Sequence, residues 1–440
     1  MSQPVPPPDP ATVRDQAEER IAPMPSAVRR AVRGGIVGNF VDQFDIFLPV
    51  IVLTPATADV FGPNNLVSNA GLVFVAALLG RPLGAALFGP ISDRLGRTRT
   101  TEVALMGVAM TTLLIALVPG YSVLGSGTLF CIVGLRLLGG VFLGGEYTSA
   151  VPLAMEWSEP RRRGLASGYI MWMSPWANAT IAAIVLVLLH TLTPRLYGEW
   201  GWRLPFLLGA MLALAMRSYY HRAVMDSPAG QRTPTGSNPL KEIVVGPHRR
   251  ALVQVVVMMT GLWLLTDMVI PTLTSELRVA SLLSAPSISW TMLCATAASA
   301  VTMLAAGPIS TAMGRRTFFA GFGLLAALLA PLTYLAIFHT DRLAVVVLLV
   351  VVLQVVTVSG YGPVGAYLCE RFPSPVRSSG YGVGYSLSIV LPALYPYYLP
   401  TLQAHLGNQT AIAALLGLGG ALVCVGAIIG PETNTIERLS

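Results

Sequence analysis

The chain has 440 residues, of which 54% are hydrophobic and only 11% are charged, and its mean hydropathy is +0.66. Soluble domains carry roughly 25% charged residues, so this composition excludes an ordinary soluble enzyme of this length. The net charge of +7 is compatible with nucleic acid or with lipid headgroups, and the positions of the arginines decide between the two below.

The predicted elements begin after a polar N-terminal segment. Residues 1–33 are rich in proline and charge, which predicts a disordered cytoplasmic tail, and they lack the features of a signal peptide. Twelve apolar segments of membrane-spanning length follow. They lie near residues 34–54, 67–92, 102–119, 127–157, 164–190, 202–220, 251–274, 287–310, 317–338, 343–370, 378–400 and 408–430.

The longest polar gap, residues 221–250, divides these segments into two sets of six. It predicts an N-terminal half at 34–220, a cytoplasmic linker, a C-terminal half at 251–430 and a short cytoplasmic tail at 431–440. The fold class expected is therefore an all-α membrane protein with twelve transmembrane helices.

The arginines indicate the orientation, because cytoplasmic loops of membrane proteins carry an excess of basic residues. With the N-terminus in the cytoplasm, the inner loops hold most of them: Arg94, Arg97, Arg99, Arg161, Arg162, Arg163, Arg315, Arg316, Arg371, Arg377 and those of the linker. The outer loops hold Arg195, Arg203, Arg278 and Arg342. This asymmetry predicts a multi-pass protein of the cell (inner) membrane with both termini in the cytoplasm. The membrane topology then explains the positive net charge, and no nucleic-acid partner is expected.

Two short motifs recur at nearly the same spacing. "FGPISDRLGRT" at 88–98 returns as "GPISTAMGRRT" at 307–317, so that Gly307 follows Gly89 by 218 residues. "EWSEPRRR" and "ERFPSPVR" each place a glutamate seven residues before an arginine, and their glutamates, Glu156 and Glu370, are 214 residues apart. The two offsets predict an internal duplication into six-helix pseudo-repeats, which is typical of secondary transporters.

The charged residues of the first motif have a physical explanation. Asp93 lies at the end of the second segment, where the helix dipole is negative, so it requires a cation or the N-terminus of another helix. Arg97 is close in sequence, and Arg377 begins a segment on the same membrane side. We expect a contact there that closes the inner gate, although these charges would also suit a solvated loop. Thr311 replaces Asp93 in the second half and predicts a weaker second contact. The predicted gating residues are Asp93, Arg94, Arg97, Glu156, Arg163, Glu370 and Arg377.

The motifs also resemble those of a known group. "GRPLGAALFGPISDRLGRT" at 80–98 is similar to the helix 2–3 signature of the major facilitator superfamily. "RLLGGVFLGGEY" (136–147), "EWSEPRRRG" (156–164) and "ERFPSPVRSSGYG" (370–382) resemble the metabolite:proton symporter family, which is close to the sialate/lactate and aromatic acid proton symporters. The resemblance implies the major facilitator fold and transport of organic anions with protons. The chain departs from the family's usual Glu-Trp-Tyr-Asp pattern in helix 1, where it has Asp42-Gln43-Phe44-Asp45.

Acids inside membrane segments are costly and are candidates for function. Asp42 and Asp45 share one helix face with Asn39 because of their spacing. Burial and a neighbouring acid both disfavour a charged carboxylate, so such a pair suits proton binding near neutral pH. We expect Asp45 first, then Asp42, to couple protons, with Glu146 as a further proton site or a pairing partner. Asp267 is a weaker candidate in the seventh segment.

Two arginines inside the membrane segments are candidate carboxylate ligands, since guanidinium stays charged and binds carboxylates bidentately. The resemblance implies a carboxylate anchor at Arg81. Arg136 either tunes Asp45, binds substrate or pairs with Glu146 or Asp42. The polar and aromatic candidates for substrate binding are Asn39, Tyr147, Trp172, Trp176, Tyr361 and Tyr385; Trp263 is a further aromatic. The aromatic residues either stack on a substrate or only pack the bundle.

The function expected from these residues is proton-coupled symport of a small organic anion by alternating access, in a non-enzyme that needs no cofactor besides the proton gradient. The partners expected are the anion, the proton and lipid, with the protein a monomer. The same fold leaves open an antiporter or exporter, and a symporter of zwitterionic osmolytes such as betaine or proline. Lactate, citrate, sialate, shikimate and benzoates all remain possible substrates.

Overall fold

The computed structural model describes residues 26–62, 66–227, 238–279, 285–340 and 342–433. Long α-helices joined by short turns make up this part of the chain. In the first half they are α1 (Ser26–Leu53), α2 (Leu66–Leu95), α3 (Arg97–Leu117), α4 (Gly127–Trp157), α5 (Arg163–Thr191) and α6 (Arg203–Ala223). In the second half they are α7 (Arg249–Asp267), α8 (Ala285–Met313), α9 (Arg315–Ile337), α10 (Leu343–Val358), α11 (Arg377–Leu387) and α12 (Asn408–Ile429).

Ten helical segments of the described ranges are long and apolar enough to cross a membrane. The expected all-α membrane protein is confirmed. The segments of α6 and α11 are not among the ten, so the full count of twelve spans stays a prediction.

Several boundaries differ from those expected. Helix α1 begins at Ser26, inside the segment 1–33 that was expected to be disordered, whereas residues 1–25 lie outside the described part. The helix extends because Val28, Ala31 and Val32 are buried, and because the intervening arginines stay exposed at its end.

The linker expected at 221–250 also contains regular structure. Its first residues complete α6, and a short helix, Pro239–Val244, lies before α7. Residues 228–237 and, in the C-terminal tail, residues 434–440 lie outside the described part.

Three helices of the second half are interrupted. Helix α7 passes through a π-helical turn, Met268–Thr272, before it continues as Leu273–Val279. Pro271 has no amide hydrogen, so the Asp267 carbonyl accepts instead from the Thr272 hydroxyl at 2.8 Å. Helix α10 continues as Val364–Arg371, and α11 continues as Val390–Ala393 and Tyr395–Leu406, each after a short break. The segments predicted as single spans are therefore interrupted helices.

Helices α2 and α4 make the most intimate contact of the N-terminal half. At Gly84 a side chain would overlap the backbone of Val141, and at Gly144 it would overlap the backbone of Arg81. Small residues of this kind let membrane helices approach closely. The contact fixes the position of Arg81 along the axis of α4.

The two halves meet mainly through two pairs of helices, α2 with α11 and α5 with α8. These two contacts correspond to each other under the internal repeat inferred from the sequence. We call the end of the bundle that carries Asp93, Glu156 and Arg377 the Asp93 end, because these three residues lie in one network there.

Candidate functional site

A buried ion pair lies where α1 and α2 face the second half. Arg81 Nη2 is 3.2 Å from Asp42 Oδ2, and both side chains are at most 1% exposed. Gln43 Nε2 also donates to Asp42 Oδ2 at 3.2 Å. The other two guanidinium nitrogens of Arg81, Nε and Nη1, have no hydrogen-bond partner among the described residues. Arg81 therefore uses one nitrogen on Asp42 and keeps two donors for another acceptor.

Aromatic rings from both halves surround this guanidinium. Its Cζ atom lies 5.3 Å from the ring centre of Tyr147 on α4 and 5.9 Å from that of Tyr385 on α11. The rings continue from Tyr385 to Trp263 on α7 at 5.3 Å, and from Trp263 to Tyr361 at 5.6 Å. We call these rings, together with Tyr381, the central aromatic cluster. It brings together Tyr147, Tyr361 and Tyr385 as candidates from distant parts of the sequence.

Two members of the cluster add donors of their own. The Trp263 indole nitrogen and the Tyr381 hydroxyl are buried and have no hydrogen-bond partner in the described ranges. Tyr381 was not expected from the sequence; its position one helical turn before Tyr385 was the available signal. The cluster beside Arg81 thus holds two further buried donors that can serve a bound anion.

The second acid of helix α1 belongs to a different cluster. Asp45 Oδ2 is 2.7 Å from Arg136 Nη1, and Asp45 also accepts from the Thr112 hydroxyl. Arg136 Nη2 donates to the Asp45 carbonyl at 3.0 Å. Of the alternatives for Arg136, the structure favours pairing with Asp45 over pairing with Glu146 or Asp42. All these partners lie in the N-terminal half, so this pair ties α1, α3 and α4 together.

Glu146 is buried between helices of the same half. Its Oε1 has no hydrogen-bond partner in the described part of the chain, and it lies against Gly38, where a Cβ atom would be 2.8 Å away. Asp42 and Arg81 are within electrostatic range of Glu146, as is Tyr220 on α6. Glu146 therefore lies on α4 against α1, in the same half as the Asp42–Arg81 pair.

Three other candidates lie elsewhere. Asn39 donates to the Ile170 carbonyl on α5 at 2.6 Å, which uses its amide for a helix contact. Trp172 and Trp176 pack edge to face at 6.0 Å, and 47% of Trp176 is exposed. Neither tryptophan makes a ring contact with the central aromatic cluster in the described part.

At the Asp93 end, the contact expected from the sequence is present. Asp93 accepts the backbone amides of Ser378 and Ser379, each at 2.9 Å, and the Ser379 hydroxyl at 2.7 Å. These amides belong to the first turn of α11, where the helix dipole is positive. A buried carboxylate of the first half thus caps a helix of the second half.

Glu156 forms a second link across the same seam. Glu156 Oε1 forms ion pairs with Arg97 Nη2 at 2.9 Å and with Arg377 Nη1 at 2.5 Å. The hydroxyl of Ser227 donates to Glu156 Oε2 at 2.5 Å. Arg97 also lies 3.7 Å from Asp93. One network therefore joins α2, α3, α4 and α11.

The corresponding residues of the second half pair with one another. Glu370 pairs with Arg315 at 3.2 Å and accepts from Thr433 at 2.9 Å. Thr311, at the position of Asp93, donates to the Gly307 carbonyl at 3.3 Å and accepts from Arg315 at 3.0 Å. The two seams therefore differ, as the replacement of Asp93 by threonine predicted.

The other expected gating residues occupy the same region. Arg163 donates to the Met155 carbonyl at 3.1 Å, and the repeat-related Arg377 donates to the Cys369 carbonyl at the same distance. Arg94 is exposed. These repeated contacts fit the internal duplication.

Two acids at this end were not singled out from the sequence. Asp226 accepts the Thr98 amide at 2.7 Å, and Glu432 accepts the Arg315 amide at 2.7 Å. Each acid follows the last helix of its half and caps a helix in that half. An acid placed soon after helix α6 and after α12 was the available signal.

Comparison with known proteins gives one family match. Residues 35–279 match the model of the Major Facilitator Superfamily. Among solved structures, the proton:xylose symporter XylE has a TM-score of 0.73 at 16% identity and covers 94% of this chain and 98% of its own.

Similar curated proteins cover nearly the whole chain. The inner membrane metabolite transport protein YhjE of Escherichia coli is 27% identical over 96% of this chain and 98% of its own length. The alpha-ketoglutarate permease of the same organism is 28% identical over 87% of this chain and 88% of its own length. The citrate-proton symporter of Klebsiella pneumoniae is 27% identical over 88% of each chain.

Proposed function

The chain belongs to the major facilitator superfamily, and from this premise we propose that it is a secondary active transporter that moves a small organic anion together with protons. The full-length relatives named for transport of alpha-ketoglutarate and citrate support a carboxylate as substrate. The one named as a citrate-proton symporter supports coupling to protons.

The guanidinium of Arg81 is the single observation that carries this proposal. It lies at the seam of the two halves, and its Nε and Nη1, like the buried donors of Trp263 and Tyr381, have no hydrogen-bond partner among the residues that the structure describes. Buried donors without partners are costly, and a carboxylate satisfies them with charge-assisted hydrogen bonds. A substrate held there touches both halves, which alternating access requires.

Asp42 supplies the link to the proton. In the empty carrier it neutralises Arg81 at 3.2 Å in a buried place, where a lone charge is penalised. When a substrate carboxylate binds Arg81 Nε and Nη1, one guanidinium charge faces two carboxylates, and Asp42 becomes neutral by binding a proton. Substrate and proton therefore enter together, and the loaded and the empty carrier both have balanced charges during the conformational switch. Asp42 replaces Asp45 as the first candidate, since Asp45 is fully engaged by Arg136 and Thr112. We assign Glu146, which lies against Gly38 one turn before Asp42, as the acid that shares this proton.

The networks at the Asp93 end act as the gate of this carrier. Asp93 and Glu156 hold α11 against the first half, so the central aromatic cluster is closed toward that end. The distribution of arginines supports a cytoplasmic position for this end, with both termini on that side. The state described is thus closed to the cytoplasm. The protein acts as a monomer in the inner membrane, with lipid around its outer surface.

The test is uptake of radiolabelled carboxylates into proteoliposomes with an imposed inside-alkaline pH gradient. We expect at least one carboxylate to accumulate, and this accumulation to collapse when the gradient is removed. We also expect the pH of the outer medium to rise as protons enter with the substrate. Arg81→Gln abolishes it, while the exposed Arg195→Gln serves as control, since Arg195 pairs with Glu199 at the surface. Proton movement opposite to the substrate would make the protein an antiporter, and accumulation without dependence on the gradient would contradict the proposal.

A further inference from the structure

One face of helix α1 forms a groove that begins at Asp42. Gly38 lies four residues before Asp42, and Gly34 lies four residues before Gly38, so all three are on one side of the helix. Asp42 is buried at one end of this groove, and Arg30, four residues before Gly34, is exposed at the other. The two glycines let side chains of other helices lie against the α1 backbone. The groups that fill the groove decide whether it serves only packing.

Two buried polar groups fill the groove of α1. A Cβ atom on Gly38 would lie 2.8 Å from Glu146 Oε1 and 3.8 Å from the Tyr220 hydroxyl oxygen, and one on Gly34 would lie 3.1 Å from that hydroxyl. Both residues are at most 2% exposed, and neither Glu146 Oε1 nor the Tyr220 hydroxyl has a hydrogen-bond partner among the described residues. Packing alone would favour apolar side chains here, because burying a polar group without a partner is costly.

The two groups are close enough to share one water molecule. Both lie near the Cβ position of Gly38, so the oxygens of Glu146 and Tyr220 are separated by no more than the sum of the two distances, 6.6 Å. A water that makes a hydrogen bond to each of two oxygens spans about 5.6 Å. Such a water accepts from the Tyr220 hydroxyl and donates to Glu146, which satisfies both groups.

Tyr220 lies between Glu146 and the exposed surface at the Asp93 end. The neighbouring Tyr219 donates to the Arg30 carbonyl at 3.0 Å, so the last turns of α6 lie against the first turns of α1. Asp226, which follows α6, caps α3 at the Asp93 end. The groove therefore leads from the central ion pair to the end of the bundle whose arginines support a cytoplasmic position.

The groove lies apart from the route of the substrate. Helices α1, α4 and α6 all belong to the first half, whereas Arg81 faces Tyr385 across the seam of the two halves. In the state described, the polar atoms of the groove are buried and the seam is closed at the Asp93 end. A proton on Glu146 is thus retained while that end is closed, as coupling requires.

We propose that Glu146 and Tyr220 form the release site of the coupled proton, which leaves along the groove of α1 while the substrate leaves between the halves. When the substrate departs, Asp42 returns to its ion pair with Arg81 and gives its proton to Glu146. The carboxyl group of Glu146 then passes this proton to water and becomes a carboxylate. The Tyr220 hydroxyl keeps its own proton and donates to the water that donates to this carboxylate, so Tyr220 is a positioning residue.

The charged groups that face the groove are few. Asp42 on α1 and Arg81 on α2 face Glu146 at the buried end, and Arg30 and Arg33 are exposed at the other end. Once Asp42 and Arg81 are paired again at 3.2 Å, their charges cancel, and neither holds the proton back. This inference rests on the proposed function, because the proton arrives by way of Asp42.

The test separates net uptake, which requires release of the proton, from exchange of substrate, which does not. Proteoliposomes that contain the full chain are loaded at a series of internal pH values. The probe is the member of a radiolabelled panel of lactate, citrate, sialate, shikimate and benzoate that the wild type accumulates. Net uptake is measured into empty vesicles, and exchange is measured with the same compound on both sides at equal pH.

Two variants and one control locate the effect. Tyr220→Phe should slow net uptake about tenfold and raise the internal pH at half-maximal uptake by about one unit, because the Glu146 carboxylate loses a donor that acts through water. Glu146→Gln should slow net uptake at least as much, and both variants should preserve exchange. Tyr334→Phe is the matched control: it deletes another buried hydroxyl without a partner in the described ranges, on α9 of the second half, and should leave all readouts unchanged.

Every outcome decides the matter. Net uptake and a pH profile equal to those of the wild type, in Tyr220→Phe or in Glu146→Gln, overturn the release site. Equal loss of exchange and net uptake in Tyr220→Phe also overturns it, because the hydroxyl then serves binding or folding. Slower net uptake without a shift in internal pH overturns it too, since the hydroxyl then acts on the return of the empty carrier. The proposed function survives these results and fails only if the wild type accumulates no member of the panel or moves no proton with it.

Discussion

The contact of Asp93 with helix α11 gives the most direct prediction about gating. Asp93→Asn keeps the shape of the side chain but removes its charge and turns one acceptor into a donor that faces the amides of Ser378 and Ser379. The carboxylate accepts three hydrogen bonds from the second half, at 2.7 to 2.9 Å. A hydrogen bond to a charged group contributes about 1.5–3 kcal/mol, so loss of one or two of them costs the closed state about 3 kcal/mol. The ratio of open to closed protein then rises roughly a hundredfold.

Distance measurement by electron spin resonance checks this prediction. Spin labels at Leu95 and Met313, both more than half exposed at the Asp93 end and one in each half, report the separation of the halves. We expect one short distance in the wild type and a second, longer population in Asp93→Asn.

Asp226→Asn is the matched control, because Asp226 accepts a helix amide at the same end without crossing the seam. It should leave the distances unchanged. An unaltered distribution in Asp93→Asn, or an equal shift in both variants, would refute the reasoning.

Three further predictions concern the buried charges. Asp42→Asn should abolish accumulation against a gradient in proteoliposomes but preserve exchange of substrate, since Arg81 stays in place; retained accumulation would exclude Asp42 as the coupling acid. Arg136→Gln should lower the free energy of unfolding by about 3–5 kcal/mol, because it leaves Asp45 buried without its cation; a thermal-melting midpoint equal to that of the wild type would contradict the structural role. Glu156→Gln should open the Asp93 end in the same spin-label experiment more than Glu370→Gln does, because only the former loses an ion pair across the seam; the opposite order would show that the two seams have been assigned wrongly.

The contact of Asp93 could be predicted from the sequence because its cause is local. An acid at the negative end of a helix needs a positive partner, and the start of another helix on the same side provides one. The capping acids Asp226 and Glu432 obey the same rule. They were missed because each lies in a non-helical segment after the last helix of its half, and such a segment has no periodic pattern that indicates what it contacts.

The partners of the central charges could not be predicted in the same way. Spacing on helix α1 indicates that Asp42 and Asp45 share a face, but it does not say which arginine each one meets. That choice depends on the relative heights of α2 and α4, and close packing at Gly84 and Gly144 sets those heights. Arg81 consequently meets Asp42, and Arg136 meets Asp45.

The aromatic residues illustrate the same limit. Trp172 and Trp176 lie one turn apart, as Tyr381 and Tyr385 do, and both patterns predict a helix face. Tyr385 lies on the face of α11 that contacts Arg81, whereas Trp176 is exposed on α5. Periodicity identifies a face, and only the packing of the helices decides what that face meets.

The protonation of Asp42 when a substrate carboxylate binds Arg81 is most directly tested by counting the protons taken up on binding. Titration of the purified protein with a transported carboxylate, in buffers that differ in ionisation enthalpy, gives that number. The account predicts uptake of about one proton per bound carboxylate in the wild type and none in Asp42→Asn. Binding without proton uptake in the wild type, or uptake that persists in Asp42→Asn, would contradict it.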